Sequence, residues 1–372
     1  MIKPASGKCN MICEYCFYQD EMKNRTQGFY GIMTDNTLKN VIRKTLLQAT
    51  SEIIYAFQGG EPTLCGIQFF EKVLKYESQY NKQGITIHNV LQTNGYKIDE
   101  KWCEFFKTNH FLIGISIDGT KDIHDYYRKG KNGETTYDCV LRTTGLMDYY
   151  GVEYNILTVV TEKVANNCKK IYKEYKKKGW NYQQYIACLD PIDDCKGNQK
   201  YSLLPHEYGK FLVELFQLWY KDWLCNQQPY IRQFENYVGI LMGYLPEACE
   251  QNGRCGKQIV VEADGSVFPC DFYAMDSYCL GNFNKNNLEF MNKTREKIGF
   301  IERSVKIGEK CMKCKWYFIC RGGCQRNRVF DEVSGKYDNY LCAGYSFFFE
   351  NCITDLKNVA EVCKKKLWGG LL

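Results

Sequence analysis

The chain has 372 residues, 45% hydrophobic, 15% aromatic and 25% charged, which exceeds one ordinary core and excludes a disordered polypeptide. Its 49 basic and 43 acidic side chains leave a net charge of +6, too small and too dispersed to mark a nucleic-acid-binding surface. No run approaches the roughly 18 apolar residues of a membrane span, and Met1-Ile2-Lys3-Pro4 leads into polar sequence without a signal peptide, so a cytoplasmic location is expected.

In a reducing compartment, 21 cysteines argue for metal binding or redox chemistry over a disulfide framework. Only His88, His110, His124 and His206 exist, none paired with another at ligand spacing, so metal centres must be mostly thiolate-held.

Short apolar or β-branched runs alternate with amphipathic segments through the first half, the pattern of repeated βα units and a parallel sheet. Six strands are predicted: near Ile2, then at Ile53–Phe57, Ile85–Leu91, Phe111–Ile117, Tyr154–Val160 and Tyr182–Leu189. Leu38, Val41, Ile42, Thr45 and Leu46 recur at helical spacing, as do Val164, Cys168, Ile171, Tyr172 and Tyr175. Gly151 and Gly179 stand at expected helix ends before the fifth and sixth strands. Six units are too few to close the eight-stranded barrel, so a partial (β/α)6 barrel of the α/β class is expected, with its site at the strand C-terminal ends. A long helix after Pro205 carries Phe211, Leu212, Leu215, Phe216 and Trp219 on one stripe and is expected to close that domain. Short strands around the Asp264-Gly265 turn and many cysteines follow. The expected organisation is a barrel over residues 1–225, a cysteine-rich domain over 226–345 and a terminal helix over 346–372.

Cys9-x3-Cys13-x2-Cys16 places three thiolates on one short loop, where they can hold three irons of a cuboidal cluster. A zinc site would want a fourth adjacent ligand, and none is present. An open fourth iron can chelate the amino and carboxylate groups of S-adenosylmethionine, whose C–S bond one electron then splits. With Tyr15 before its third cysteine, this loop resembles the radical S-adenosylmethionine (radical SAM) superfamily.

The resemblance implies that Gly59-Gly60-Glu61-Pro62 faces the methionine amino group at Gly60, that Ser116 and Arg128 contact ribose and methionine carboxylate, and that Leu189 gives a backbone contact to adenine. Cys311, Cys314, Cys320, Cys324 and Cys342 resemble the SPASM domain of peptide-modifying enzymes, which holds two auxiliary clusters. That pattern assigns Cys249, Cys255, Cys270 and Cys324 to one auxiliary cluster and Cys311, Cys314, Cys320 and Cys342 to the other, making three 4Fe-4S clusters in all. A pair of zinc-ribbon-like sites is the alternative. Full ligation leaves no open iron on either, which suits electron transfer.

Phe57-Gln58-Gly59-Gly60-Glu61-Pro62-Thr63-Leu64, Leu91-Gln92-Thr93-Asn94-Gly95 and Gly265-Ser266-Val267-Phe268-Pro269-Cys270-Asp271-Phe272-Tyr273 are similar to anaerobic sulfatase-maturating enzymes. Such enzymes oxidise a cysteine or serine of a sulfatase polypeptide to formylglycine. The likeness implies hydrogen abstraction from the side-chain β-carbon, loss of an electron to an auxiliary cluster, and loss of a proton to a base matched by Asp271. Asp271 as a carboxylate that only supports its neighbour Cys270, and Gln58 as either a substrate contact or a buried sheet-end residue, are open alternatives. The partners implied are an unfolded Cys/Ser-x-Pro-x-Arg segment and an electron donor such as flavodoxin or ferredoxin, with no nucleic acid and no membrane. A maturase that cross-links, epimerises or otherwise oxidises a ribosomal precursor peptide is the alternative function.

Overall fold

Three parallel strands, Glu52–Phe57, Thr86–Thr93 and Leu112–Ser116, lie side by side in the computed structural model, which describes residues 1–333 and 335–369. The pairing sets Ile54 against His88 and Leu91 against Ile113. Alternate side chains turn inward, so Tyr55, Phe57, Leu91, Ile113 and Ile115 are buried while Ile54 faces out. The Asp35–Leu46 helix buries Leu38, Val41, Ile42 and Leu46, and the Thr34 hydroxyl at its start accepts from the Thr37 N–H at 3.2 Å.

The described chain falls into two compact units, the first comprising Met1–Ile117, His124–Asn155 and Lys257–Phe300, the second Asp118–Ile123, Ile156–Gly256 and Ile301 onward. These are packing groups and cut across the sequence boundaries expected at 225 and 345. The 257–300 segment joins the first unit because Lys3 N–H donates to Val261 at 2.8 Å and Val261 N–H donates to Met1 at 3.0 Å. The expected strand near Ile2 is therefore only a pair of isolated bridges, to Phe57 and to Val261. The hairpin around Asp264-Gly265 pairs Val261 with Val267 and Val260 with Phe268, and Gly265 takes the turn at a φ of 91°.

In the second unit, Tyr154–Val160 pairs with Tyr182–Ala187 in parallel from Ile156 against Gln183 onward. A two-residue strand, Tyr230–Ile231, pairs in parallel with the start of Tyr182–Ala187, and its brevity left no alternation to read. The Val164–Tyr175 stripe divides into two helices, Glu162–Ala165 and Cys168–Lys177, where the Asn167 amide bends back to donate to the Lys163 carbonyl at 2.9 Å. Gly151 caps its helix in the left-handed conformation, and Gly179 follows the next one at a φ of 71°.

The Pro205–Leu224 helix packs on the terminal helix, which begins at Cys342, four residues earlier than expected, and runs to Gly369. Residues 370–372 lie outside the described residues. A Cβ at Gly344 would stand 2.4 Å from the Pro205 carbonyl oxygen, so the two helices meet backbone to backbone. Tyr208 and Tyr345, with ring centroids 5.5 Å apart, continue that seam. Among the described residues, no helix is long and apolar enough to cross a membrane.

Candidate active site

The cysteine loop is pinned as a short strand, Met11–Cys13, antiparallel to Arg128–Gly130, with Cys13 opposite Arg128. Cys16 occupies the position before the Phe17–Lys23 helix, where unpaired backbone N–H groups favour an anionic sulfur. Burial pushes the Cys16 thiol up, while the main-chain N–H groups of Gln19 and Tyr18 and the Arg128 guanidinium pull it back. Cys9 is pushed up to about 11 by burial and by Glu61, against the Met11 N–H, which donates to its sulfur at 3.4 Å. The Asn94 amide adds a second donor to that sulfur at 3.5 Å. Buried thiols furnished with N–H donors and a nearby guanidinium are costly as free thiolates but well matched to sulfurs bound to iron, so the donor set fits a cluster.

Gly60 takes a φ of 57°, and a Cβ there would lie 2.3 Å from the Lys8 carbonyl oxygen. What comes close to this glycine is therefore the cysteine loop itself, whose Lys8 carbonyl also accepts from Glu61 N–H at 2.8 Å. The Glu61 carboxylate, 1% exposed, ties two strand ends together by accepting from Thr63, from the Thr93 hydroxyl at 2.8 Å and from Asn94 N–H at 2.8 Å. Ser116 ends its strand and accepts from the Gln92 amide at 3.1 Å. Arg128 is buried with its guanidinium 5.4 Å from the centre of the Tyr15 ring, a cation–π contact that orients it beside the cysteine loop. Leu189 is buried in the second unit, just past the Tyr182–Ala187 strand, where the Asp190 carbonyl accepts from Arg326 at 2.8 Å.

Asp271 lies 6% exposed in the first unit. Its Oδ2 accepts from the Tyr18 hydroxyl at 2.6 Å and from the Gln58 amide at 3.2 Å, and Gln58 also donates to Tyr18 at 2.9 Å. Its Oδ1 has no hydrogen-bond partner. Burial pushes the Asp271 carboxyl up, and the Lys3 ammonium and the Tyr18 hydroxyl pull it back.

Beneath it lies a fully buried ion cluster. Lys3 Nζ meets Glu21 at 3.2 Å and Glu262 at 3.1 Å, Arg25 meets the same Glu262 oxygen at 2.7 Å, and Lys3 sits 4.5 Å from the centre of the Tyr18 ring. Burial alone would lower Lys3, but Glu21, Glu262 and Asp271 outweigh it and raise it. Sequence reading missed Tyr18, Lys3, Glu21, Arg25 and Glu262. For Tyr18 the one available signal was its position in the first helical turn after Cys16.

In the second unit, burial pushes Cys320 up to about 12, with Cys342, Cys311 and Cys314 repelling its charge. Cys324 is likewise pushed up to about 12 by burial, with Cys249 and Cys255 among its repelling neighbours. The structure thus brings Cys311, Cys314, Cys320 and Cys342 into one electrostatic group and Cys249, Cys255 and Cys324 into another, while Cys270 lies in the first unit. Trp316 N–H donates to the Cys314 sulfur and Arg326 N–H to the Cys324 sulfur, each at 3.4 Å, so these thiols too carry the donors that sulfurs on iron use. Among the described residues, no set of three His, Cys, Asp or Glu side chains closes around a single-ion position.

Residues 4–174 match the radical SAM superfamily, and residues 249–315 match an iron-sulfur cluster-binding domain, SPASM. A cysteine-type anaerobic sulfatase-maturating enzyme of Clostridium perfringens is 43% identical over 364 residues, covering 98% of each chain. The chain belongs to the anaerobic sulfatase-maturating enzyme family. A serine-type member from Bacteroides thetaiotaomicron is 29% identical over 94% of this chain and 88% of its own. Among solved structures, the family member anSMEcpe, with bound S-adenosylmethionine and a peptide, superposes with a TM-score of 0.91 at 44% identity over 97% of this chain and 98% of that one. Membership establishes the α/β radical SAM fold with its SPASM extension and brings iron-sulfur clusters and S-adenosylmethionine as the family's cofactors.

Proposed function

We propose that this radical SAM enzyme oxidises a cysteine in a sulfatase polypeptide to formylglycine by removing a hydrogen from the side-chain β-carbon. The observation that carries this reading is Asp271, a buried carboxylate with Oδ2 fixed by Tyr18 and Gln58 and Oδ1 unengaged, anchored through Tyr18 to the helix that follows Cys16. Cysteine is favoured over serine because cysteine-type relatives share 43% identity and serine-type relatives 29%.

Cys9, Cys13 and Cys16 would hold the cluster that binds S-adenosylmethionine, and Arg128, Ser116, Gly60, Tyr15 and Leu189 would line the cofactor. The two cysteine quartets, including Cys270, would hold the auxiliary clusters, with the barrel over 1–225 and the cysteine-rich domain over 226–345. When bound, these groups supply a hydrogen-abstracting 5'-deoxyadenosyl radical and a sink for one electron. Asp271 Oδ1 takes the substrate thiol proton as the electron leaves, so the side chain loses one hydrogen atom, one electron and one proton and becomes a thioaldehyde. Water then replaces sulfur, giving the aldehyde and hydrogen sulfide. Tyr18 and Gln58 hold the carboxylate, and an acidic one-electron carrier such as flavodoxin or ferredoxin supplies the reducing electron.

Anaerobic turnover of a Cys-x-Pro-x-Arg peptide, read by mass spectrometry and carbonyl trapping, tests the reading. Exchange of sulfur for oxygen with loss of two hydrogens is expected. Loss of two hydrogens without a trappable carbonyl would favour the cross-linking or epimerising alternative.

A further inference from the structure

Cys9 is shared by two faces of its loop. One carries Asn94 and Glu61; the other opens into a hollow of about 530 Å³ in the first unit, lined by Lys8, Lys23, Lys131, Ile12 and Phe29 as well as Cys9. Gly60, Ser116 and Arg128, assigned above to S-adenosylmethionine, do not line it. The hollow therefore shares Cys9 with the cluster loop but none of those three residues.

Its chemistry is one-sided. No carboxylate lines it, and none holds the three lysine ammonium groups among the described residues. The lysines near the other cysteines differ, since Lys313 is tied to Glu309 at 3.0 Å and Lys315 to Glu350 at 3.1 Å. Between the free lysines, Ile12 is 49% and Phe29 47% exposed, apolar surface of the kind that a transient partner covers. Ile12 pairs with Lys129 in the strand register, which keeps this face basic along its edge.

We propose that this hollow is the docking site of the acidic carrier protein that reduces the iron-sulfur centre of Cys9, Cys13 and Cys16. The inference rests on the proposed function, in which each S-adenosylmethionine cleaved takes one electron from the centre of Cys9, Cys13 and Cys16. The first comes from an external carrier, and the electron passed to the auxiliary cluster leaves through a carrier or returns to that centre. In the step itself the carrier is oxidised by one electron, which reduces the centre beyond Cys9. Unpaired lysines steer a negatively charged carrier, and a small apolar floor suits an encounter that must dissociate after each electron.

The experiment uses the reconstituted holoenzyme, reduced flavodoxin as the probe, and the charge-reversed variant Lys8→Glu with Lys23→Glu and Lys131→Glu. A second variant, Lys23→Glu with Lys131→Glu, leaves the cysteine loop untouched, and Lys169→Glu with Lys173→Glu and Lys177→Glu serves as a control of equal charge outside the hollow's lining. For both hollow variants, the affinity for flavodoxin by calorimetry and the stopped-flow rate of its oxidation should fall roughly tenfold or more, and their salt dependence should flatten. The control outside the hollow should stay within about twofold of wild type, and 5'-deoxyadenosine formation driven by dithionite should stay there in that control and in the Lys23→Glu, Lys131→Glu variant. Unchanged flavodoxin binding in the hollow variants overturns the proposal. So does an equal loss in the control outside the hollow, or a loss of substrate-peptide binding with flavodoxin unaffected, which would give the hollow to the substrate. Failure of dithionite to support cleavage in the wild type would instead strike the proposed function.

Discussion

At Asp271 the two carboxylate oxygens differ: Oδ2 is fixed by Tyr18 at 2.6 Å and by Gln58 at 3.2 Å, and Oδ1 has no hydrogen-bond partner, which under the proposed function makes it the proton acceptor. Asp271→Asn keeps the shape and removes the acceptor. Iron content and S-adenosylmethionine cleavage should survive, while aldehyde formation should fall by about a hundredfold, read by mass spectrometry. A variant that loses iron instead would give the residue a role in supporting Cys270. The carboxylate was legible in the sequence because Cys270-Asp271 sits in a recognisable motif. Its surroundings were not legible. Lys3, Tyr18, Glu21 and Glu262 are separated by up to 259 positions and meet only because the first residues bridge to the Val260–Val261 strand. A buried lysine at position 3 looks in sequence like any polar residue near a terminus.

Some elements with a full period followed the sequence, as in Tyr154–Val160, whereas the Val164–Tyr175 stripe divided into two helices and an element shorter than its own period, Tyr230–Ile231, gave nothing to read. The Gly59-Gly60 turn was legible as a close approach, but its occupant was not, since only the folded chain puts the Lys8 carbonyl there. Gly60→Ala would force a Cβ against that carbonyl at a left-handed φ. It should cut 5'-deoxyadenosine formation at least about tenfold while the auxiliary-cluster spectra persist. One helix–strand contact carries a pH signature. Glu77, on the Ile67–Tyr80 helix, is pushed up from 4.5 to about 7 by burial, with Asn89 of the neighbouring strand donating to it at 3.0 Å. The folded chain therefore holds a proton that the unfolded chain releases, and stability should decline as pH rises from 4.5 through about 7. In thermal scans, Glu77→Gln should raise the apparent midpoint by about 2 °C or more at pH 8 and change it little near pH 5. Equal midpoint shifts at both pH values would contradict the assignment.

Across the whole molecule, the cysteines of the first loop were read from their spacing and the two later quartets from the SPASM resemblance, and eleven such thiolates would leave one open iron among three four-iron clusters. The anaerobically reconstituted chain should carry about twelve irons, falling by about four when Cys9, Cys13 and Cys16 all become Ala, with the auxiliary spectra retained and 5'-deoxyadenosine formation lost. Bound zinc in place of iron would contradict the cluster assignment. The central claim is that a hydrogen leaves the β-carbon of the substrate cysteine, and one measurement addresses it directly: anaerobic turnover of a Cys-x-Pro-x-Arg peptide deuterated at that carbon. Deuterium should appear in 5'-deoxyadenosine together with a trappable aldehyde in the peptide. Transfer of deuterium only from a peptide labelled at the α-carbon would contradict the account.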